Sequence, residues 1–238
     1  MIIEGAISLK ACINNSKRDI KLVYIDKKKK TKDFNYIRKI IREKNISVKE
    51  IDAEEFSSLT NGKTHGGIVA EVSGRRYDEF SCGDVFFLDG IEDPFNLGYI
   101  LRTLYAFGVK NVLLPEKDYS NMEGQLLKSS AGSYEMMNIK LTSNPLEDVR
   151  KLKEEGYVSY ALKRGDDATD IFNEKFAIKS LFLLGGEKRG ISSELLQMSD
   201  ECLYISYGSD FRNSLNACGA LDVVVTLLYK QRRKWLLP

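Results

Sequence analysis

The feature that most constrains the fold is a stretch late in the chain in which two apolar runs each end in a glycine-containing loop. The first run, residues 181–184, stops at a pair of glycines, and the second, residues 202–205, opens into a loop rich in glycine and serine. A predicted helix follows each loop. In open α/β sheets, ligands bind outside the carboxyl ends of the strands, where such loops gather. We therefore predict an α/β fold with its ligand site in residues 180–216.

The second part of the chain, residues 83–238, alternates strands and helices. Residues 85–91 (VFFLDGI) begin with a continuous apolar run and are predicted to form a strand of a parallel sheet that is covered on both faces. Further strands are predicted at 111–115, 137–142 and 157–162, and helices at 97–107, 121–130 and from 145 onward. This alternation is typical of a mostly parallel sheet. The last helix, 215–231, is apolar on most sides, which predicts burial against both the sheet and a partner subunit.

Residues 1–76 have the pattern of a smaller, separate α/β unit. Its predicted strands lie at 20–25, 46–51 and 68–72, and its predicted helices at 8–14, 34–44 and 52–59. The polar connection 74–83 is the predicted boundary. The sequence therefore predicts two domains, 1–76 and 83–238.

The composition excludes several classes of protein. Hydrophobic residues make up 43% and charged residues 29%, as in an ordinary globular protein. No apolar run approaches the roughly 20 residues that span a bilayer, and the N-terminal segment has no secretion signature. The four cysteines lack the spacing of metal ligands and there is a single histidine. We therefore expect no membrane, no metal site, no Ser-His-Asp triad, no disulfide framework and a cytoplasmic location.

Positive charge is local. The net charge is only +2, which gives no global signal for nucleic acid. Lys27 to Lys30 nevertheless form one basic cluster, and residues 232–234 form another. A lysine run is most often a solvated surface, and contact with RNA or DNA is the alternative.

Five polar residues follow three different predicted strands, where a site at the sheet end would need them: Asn96, Arg102, Glu187, Ser214 and Asn216. Each also has a purely structural interpretation. Asn96, Ser214 or Asn216 could cap a helix, Glu187 could stabilise a helix N-terminus, and Arg102 could be a solvated side chain. Their placement after three different strands favours a shared site.

At these residues the sequence resembles the SpoU, or TrmH-type, RNA 2'-O-ribose methyltransferases of the SPOUT superfamily. The segments that resemble the family's ordered motifs are 93–102 (DPFNLGYILR) with 106–108, 128–132 (KSSAG), 183–192 (LLGGEKRGIS) and 205–216 (ISYGSDFRNSLN). The N-terminal part is similar to the family's L30e-like RNA-binding extension through residues 4–6 and 63–70. That extension is typical of the branch that modifies 23S ribosomal RNA.

The resemblance implies a fold, a cofactor and a reaction. The fold would be an α/β domain with a mostly parallel sheet and a C-terminal trefoil knot, preceded by a small L30e-like α/β domain. The cofactor would be S-adenosylmethionine, held by backbone groups at Gly185, Gly186, Ile205 and Leu215. The reaction would be methylation of a ribose 2'-oxygen in RNA by a homodimer. The catalytic residues implied are Asn96, Arg102, Glu187, Ser214 and Asn216.

The family assigns the position of Arg102 to the catalytic centre, often as a proton acceptor. A guanidinium is effectively always protonated, so we expect it instead to clamp a phosphate or to stabilise a developing alkoxide. Glu187 would orient it, and the homodimer would complete the active site across its interface.

The first domain would position the RNA. The phosphate contacts that the resemblance implies are Lys27, Lys28, Lys29, Lys30, Lys63, Arg75 and Arg76. Two alternatives remain at this point: a transfer RNA substrate, and a non-catalytic RNA-binding or ribosome-assembly protein of the same fold. The sequence departs from the family after Ile205, where Ser206-Tyr207-Gly208 replaces the usual Pro-Met and glycine, and at His65-Gly66-Gly67, which replaces His-Gln-Gly.

Overall fold

A computed structural model describes residues 1–29, 32–60, 65–165, 167–186 and 189–236, without the side chains of 32–33 and 234–236. The chain divides into two compact units. The first comprises Met1–Arg76 with Asp118–Met136, and the second comprises Tyr77–Lys117 with Met137–Pro238. Residues 118–136 thus pack with the first unit, although the sequence prediction assigned them to the second domain.

The described residues form strands and helices that mostly alternate along the chain. The strands are β1 (Ile2–Glu4), β2 (Ile20–Asp26), β3 (Val48–Ile51), β4 (Ile68–Val72), β5 (Val85–Asp89), β6 (Asn111–Pro115), β7 (Asn138–Thr142), β8 (Val158–Leu162), β9 (Thr169–Asp170), β10 (Ser180–Gly185) and β11 (Glu201–Tyr204). The helices are α1 (Ala6–Asn15), α2 (Lys32–Glu43), α3 (Ala53–Leu59), α4 (Pro94–Ala106), α5 (Glu123–Ser129), α6 (Ser133–Met136), α7 (Pro145–Glu154), α8 (Ser193–Met198) and α9 (Ala217–Leu236).

The first unit is built on a mixed sheet in the order β1-β4-β2-β3. Strand β4 pairs antiparallel with β1 and β2, and β2 pairs parallel with β3. Helix α3 begins at a capping box, in which the Asp52 carboxylate accepts the backbone N–H groups of Glu54 and Glu55. The Glu55 carboxylate in turn accepts the backbone N–H of Asp52 at 3.2 Å.

A buried ion cluster ties the inserted segment 118–136 to the rest of the first unit. Arg18 Nη1 lies 2.9 Å from Glu123 Oε2, and Arg18 Nη2 lies 2.8 Å from Glu135 Oε1. All three residues are at most 3% exposed. Because an unpaired charge is costly to bury, this cluster fixes where α5 and α6 pack.

The second unit is built on a seven-stranded sheet in the order β7-β6-β5-β10-β8-β11-β9. Every pairing in it is parallel. Strand β10 lies at the centre, between β5 and β8. The predicted α/β fold with a mostly parallel sheet is therefore confirmed.

Helices α4 and α9 pack against each other in the second unit. Tyr99 on α4 donates a hydrogen bond from its hydroxyl to Asp222 Oδ2 on α9 at 2.7 Å. Leu221, Val224 and Leu228 of α9 are buried. Among the described residues, no helix combines the length and the apolar character needed to cross a membrane.

Candidate active site

The two glycines at the end of β10 allow the backbone to pass another segment at very close range. A Cβ atom added to Gly186 would lie 2.2 Å from the carbonyl oxygen of Gly90, and one added to Gly185 would lie 2.2 Å from the carbonyl carbon of Gly190. The backbone N–H of Gly186 donates to Asp89 O at 2.6 Å. Only glycine fits such an approach, so these positions are set by sterics at the carboxyl ends of β5 and β10.

A cavity of about 370 Å³ lies beside this turn. Its wall includes all four residues predicted to hold the cofactor: Gly185, Gly186, Ile205 and Leu215. The remaining lining is largely apolar. Its polar and basic side chains include Lys163, Arg164, Arg189, Tyr207 and Ser214. The cavity opens at the carboxyl end of the parallel strands, where the sequence predicted a ligand site.

A second cavity, of about 340 Å³, shares Gly186 and Ala217 with the first. Asn96 lines it, together with the loop between β5 and α4. The backbone N–H of Asn96 donates to Asp93 Oδ2 at 2.8 Å, and Asp93 is the N-cap of α4. The alternative that Asn96 caps this helix is therefore wrong, and Asn96 is a half-buried residue in the wall of the second cavity.

Two hydrogen bonds hold the segment before α9 in place. The backbone N–H of Leu215 donates to the Tyr207 hydroxyl at 3.0 Å. Asn216 Oδ1 accepts the backbone N–H of Gly219 at 2.7 Å, so the capping interpretation of Asn216 is confirmed. Ser214 and Asn216 are both exposed, and Ser214 lines the first cavity.

One predicted catalytic residue lies away from these cavities among the described residues. Arg102 is exposed on α4 and lines neither cavity. The predicted catalytic residue Glu187 lies outside the described residues. The structure thus brings Asn96 and Ser214 to adjoining cavities, and Asn216 follows Ser214 by two residues.

Sequence reasoning missed Asp89, the last residue of β5. Its backbone pairs in register with Gly185, and burial raises the pKa of its carboxyl above the ordinary value. The sequence does contain a signal for Asp89, since it is a charged residue at the end of an otherwise apolar strand.

The basic residues of the first unit differ in their surroundings. Lys27, Lys28 and Lys29 are exposed. Arg76 pairs with Asp19 Oδ1 at 3.1 Å on the surface. Arg75 is only 6% exposed, and its guanidinium lies 5.1 Å from the centre of the Tyr134 ring, so its burial counts against the predicted phosphate contact. Lys30 and Lys63, also predicted to contact RNA, lie outside the described residues.

Metal ligands are not grouped in the part of the chain that the structure describes. No three histidine, cysteine, aspartate or glutamate side chains there lie close enough together to hold a metal ion. The side chains that line the two cavities include the carboxylates of Glu92 and Asp93, the amide of Asn96, hydroxyl groups, and the basic groups of lysine and arginine.

Two protein-family models match this chain, one in its N-terminal part and one in the rest. The model described as the SpoU rRNA Methylase family matches residues 84–226, which include both cavities. The chain belongs to the SpoU rRNA methylase family. A second model, described as RNA 2'-O ribose methyltransferase substrate binding, matches residues 2–78. The family resemblance predicted from the motifs is confirmed, and the protein is an RNA methyltransferase of the SpoU family.

Individual SpoU relatives align over nearly the whole chain. A Staphylococcus haemolyticus protein named for the TrmH family of tRNA/rRNA methyltransferases is 26% identical over 98% of this chain and 97% of its own. The 23S rRNA (guanosine-2'-O-)-methyltransferase RlmB of Haemophilus ducreyi is 23% identical over 97% of each chain. The SpoU methyltransferase AviRb of Streptomyces viridochromogenes, solved with AdoMet, superposes with a TM-score of 0.81 at 18% identity, over 98% of this chain and 90% of its own.

Proposed function

We propose that this protein transfers a methyl group from S-adenosylmethionine to a ribose 2'-oxygen of ribosomal RNA, with 23S RNA as its substrate. The observation that carries the proposal is the pair of adjoining cavities at the carboxyl end of the sheet. One is walled by the glycine turn of β10, and the other presents Asn96. The match to RlmB over 97% of the chain and the substrate-binding match at residues 2–78 support a ribosomal substrate.

The residues of the first cavity fit S-adenosylmethionine. A volume of about 370 Å³ is within the range of small-molecule sites, roughly 300–1,000 Å³. Apolar side chains such as Ile205 and Leu215 suit an adenine ring, and the backbone around Gly185 offers polar groups without side-chain obstruction. When bound, the cofactor supplies a methyl group on a positively charged sulfur.

The chain's own residues then act on the ribose. Its 2'-hydroxyl is a poor nucleophile, so positioning it accounts for much of the barrier reduction. Asn96, facing the second cavity, is suited to orient the hydroxyl or its neighbour by hydrogen bonds. Ser214 provides a hydroxyl at the wall of the first cavity. Arg102 acts on a phosphate or on developing negative charge, with Glu187 as its partner.

We also propose that the protein is a homodimer. Large aromatic side chains remain exposed on the two helices that pack together: Phe95 is 61% exposed and Tyr99 45% on α4, and Tyr229 is 38% exposed on α9. A second copy covering this face would bring its own Arg102 toward the adjoining cavities. Light scattering on the purified protein tests this, because a monomeric mass at micromolar concentration contradicts it.

The C-terminal trefoil knot belongs to the same proposal. The very close approach of Gly186 to Gly90 supports it, as does the insertion of β10 between strands made earlier in the chain. Pulling the chain from both ends in optical tweezers measures its fully extended length. A knotted chain stays shorter than its contour length, and full extension contradicts the knot.

The substrate is tested by transfer of radiolabelled methyl to RNA purified from cells that lack this protein. Label is expected in 23S RNA, in the 2'-O-methyl nucleoside fraction after digestion. Label in transfer RNA alone would replace the ribosomal assignment. If calorimetry shows no saturable binding of S-adenosylmethionine, the protein is instead a non-catalytic RNA-binding member of the fold.

Substitution of Arg102 by alanine tests whether this residue acts in methyl transfer and not in binding of S-adenosylmethionine. We expect methyl transfer to fall by about 100-fold or more, as when a charge-stabilising group is removed from an active site. The dissociation constant for S-adenosylmethionine stays close to the wild-type value, because Arg102 does not line the cofactor cavity. Arg150→Ala is the matched control, since Arg150 is an exposed helical arginine paired on its own helix with Glu147. Wild-type turnover in Arg102→Ala contradicts the proposed role.

A further inference from the structure

An aromatic and basic cluster forms part of the rim of the cofactor cavity, and the reaction as proposed makes no use of it. The Tyr207 and Phe211 rings lie 6.0 Å apart between centroids. The guanidinium of Arg164 lies 5.6 Å from the centre of the Tyr207 ring. Arg164 also donates a hydrogen bond to the backbone carbonyl of Arg212. We call Arg164, Tyr207, Phe211 and Arg212 the rim cluster.

Two contacts hold the rim cluster in place beside the cavity. Arg164 and Tyr207 both line it. The Tyr207 hydroxyl accepts the backbone N–H of Leu215, which joins the two ends of the loop before α9. The ring of Tyr207 is therefore fixed at the mouth of the site by its own hydroxyl. This is also where the sequence departs from the Pro-Met of the family, so the aromatic ring is a feature of this chain.

Phe211 is the exposed member of the cluster. It is 51% exposed and lies one residue before Arg212 on the loop. About half of this large apolar ring therefore remains in contact with solvent. Its neighbours favour an anionic partner with flat rings, since the described rim carries the basic side chains of Lys163, Arg164, Arg189 and Arg212 and the acidic ones of Asp167 and Asp210.

Single-stranded RNA has that chemistry. Unstacked bases stack on aromatic rings and on arginine planes, and phosphates pair with the same arginines. We propose that Phe211, supported by Tyr207 and Arg164, is a stacking site for an unpaired RNA base next to the methylated nucleotide. This rests on the proposed function, and it adds a substrate subsite to the second unit, apart from the basic residues of the first.

Phe211→Ala tests the proposal, with Phe211→Trp as the conservative variant. Phe172→Ala is the matched control, because Phe172 is similarly exposed, at 53%, and lines neither cavity. In transfer to total RNA from cells lacking the protein, Phe211→Ala is expected to raise KM for RNA about tenfold, as for the loss of one base-aromatic stack. The kcat and the affinity for S-adenosylmethionine stay at wild-type values, and Phe211→Trp restores KM.

A binding measurement isolates stacking from phosphate contact. Wild-type protein is titrated with an oligoadenylate and with an abasic oligoribonucleotide of the same length, with fluorescence anisotropy as the readout. The preference for the oligoadenylate is expected to shrink about tenfold in Phe211→Ala and to persist in Phe172→Ala. An unchanged preference in Phe211→Ala overturns the proposal.

Two further outcomes are decisive. If Phe211→Ala lowers the oligomeric mass and leaves RNA binding unchanged, the ring is a protein contact and the proposal is overturned. If it weakens S-adenosylmethionine binding to the same degree as RNA binding, the ring supports the loop and the proposal is also overturned. Failure of the wild-type protein to methylate any RNA overturns the proposed function, whereas the oligonucleotide comparison needs no methyl transfer and still tests the stacking site.

Discussion

Gly185 and Gly186 occupy positions where even one added carbon atom has no room. In Gly186→Ala the new Cβ would lie 2.2 Å from the carbonyl oxygen of Gly90, so the end of β10 must move away from the end of β5. We expect the variant to lose saturable S-adenosylmethionine binding in calorimetry and to melt several degrees below wild type.

Gly208 provides the matched control for this substitution. It lies in the loop before α9, and an added Cβ there meets nothing within 4 Å. Gly208→Ala should therefore bind the cofactor and melt as the wild type does. Normal cofactor affinity in Gly186→Ala would show that the strand ends can separate freely.

Arg18 is the single arginine that both buried carboxylates of the first unit contact. Its replacement by methionine leaves Glu123 and Glu135 close together, buried, and without their shared cation. Removing one partner of a buried pair typically costs about 3–5 kcal/mol of unfolding free energy. Urea denaturation measures it. Arg76→Met is the control, because its pair with Asp19 is exposed and such pairs contribute about 0–1 kcal/mol. Equal losses in the two variants would contradict the buried-cluster account.

Sequence patterns predicted which residues line the first cavity better than they predicted which basic residues are exposed. The glycines and Leu215 follow apolar strands, and parallel strands end at a common edge, so their convergence was predictable. The basic residues carry no such geometric constraint. Arg75 was predicted to contact phosphate, yet it is buried beside Tyr134. This burial could not be predicted, because the local sequence does not indicate which distant segment covers a residue.

At the level of elements, α1 holds a thiol in an unusually unfavourable place for ionisation. Burial, and then the negative charge of Glu135, raise the pKa of Cys12 from 9.0 to about 12. The unfolded chain therefore loses its thiol proton first as the pH rises, and the folded state loses stability between those two values.

The raised pKa predicts that the difference in unfolding free energy between the wild type and Cys12→Ala depends on pH. The wild-type advantage in unfolding free energy is expected to be full and constant below about pH 8, and to shrink through about pH 10.5. Urea denaturation at several pH values measures it, and comparison of the two proteins cancels the other titrating groups. A difference that is flat up to pH 10.5 contradicts the raised pKa.

Elements with continuous apolar runs or clear caps were predictable, and very short ones were not. Strand β5 was predicted from its apolar run, and α7 begins at the Asn144 cap with Pro145 in its first turn. Strand β9, Thr169–Asp170, lies in a stretch for which no strand was predicted. Two residues cannot display a periodicity, and this strand exists because β11 offers it an edge.

At the scale of the whole molecule, the first unit is discontinuous in sequence. Residues 1–76 pack with 118–136, and Leu126, Leu127 and Tyr134 from that segment are completely buried. We expect a fragment of residues 1–76 to lack cooperative unfolding in urea, because it exposes the surface that these side chains cover. The same fragment joined to residues 118–136 by a flexible linker should unfold cooperatively.

The discontinuous unit has an internal control. Arg18→Met in the joined fragment should weaken the cooperative transition, since Arg18 contacts Glu123 and Glu135 in the added segment. If residues 1–76 alone unfold as cooperatively as the joined fragment, the inserted segment is dispensable for the first unit. The sequence pattern did not predict this arrangement. Residues 118–136 lie between elements of the second unit along the chain, and the order of elements does not show with which unit they pack.

The central place of β10 matters for how the protein is made. Of the strands in this sheet, β5, β6 and β7 are the first to leave the ribosome. They are joined to β8 and β11 by β10, which is translated later than β8. The edge of β5 that β10 covers stays open until residues 180–185 have left the exit tunnel. An open strand edge is a template for wrong pairing between chains. The strand that ends in the glycine turn is thus also the one whose late synthesis closes the sheet.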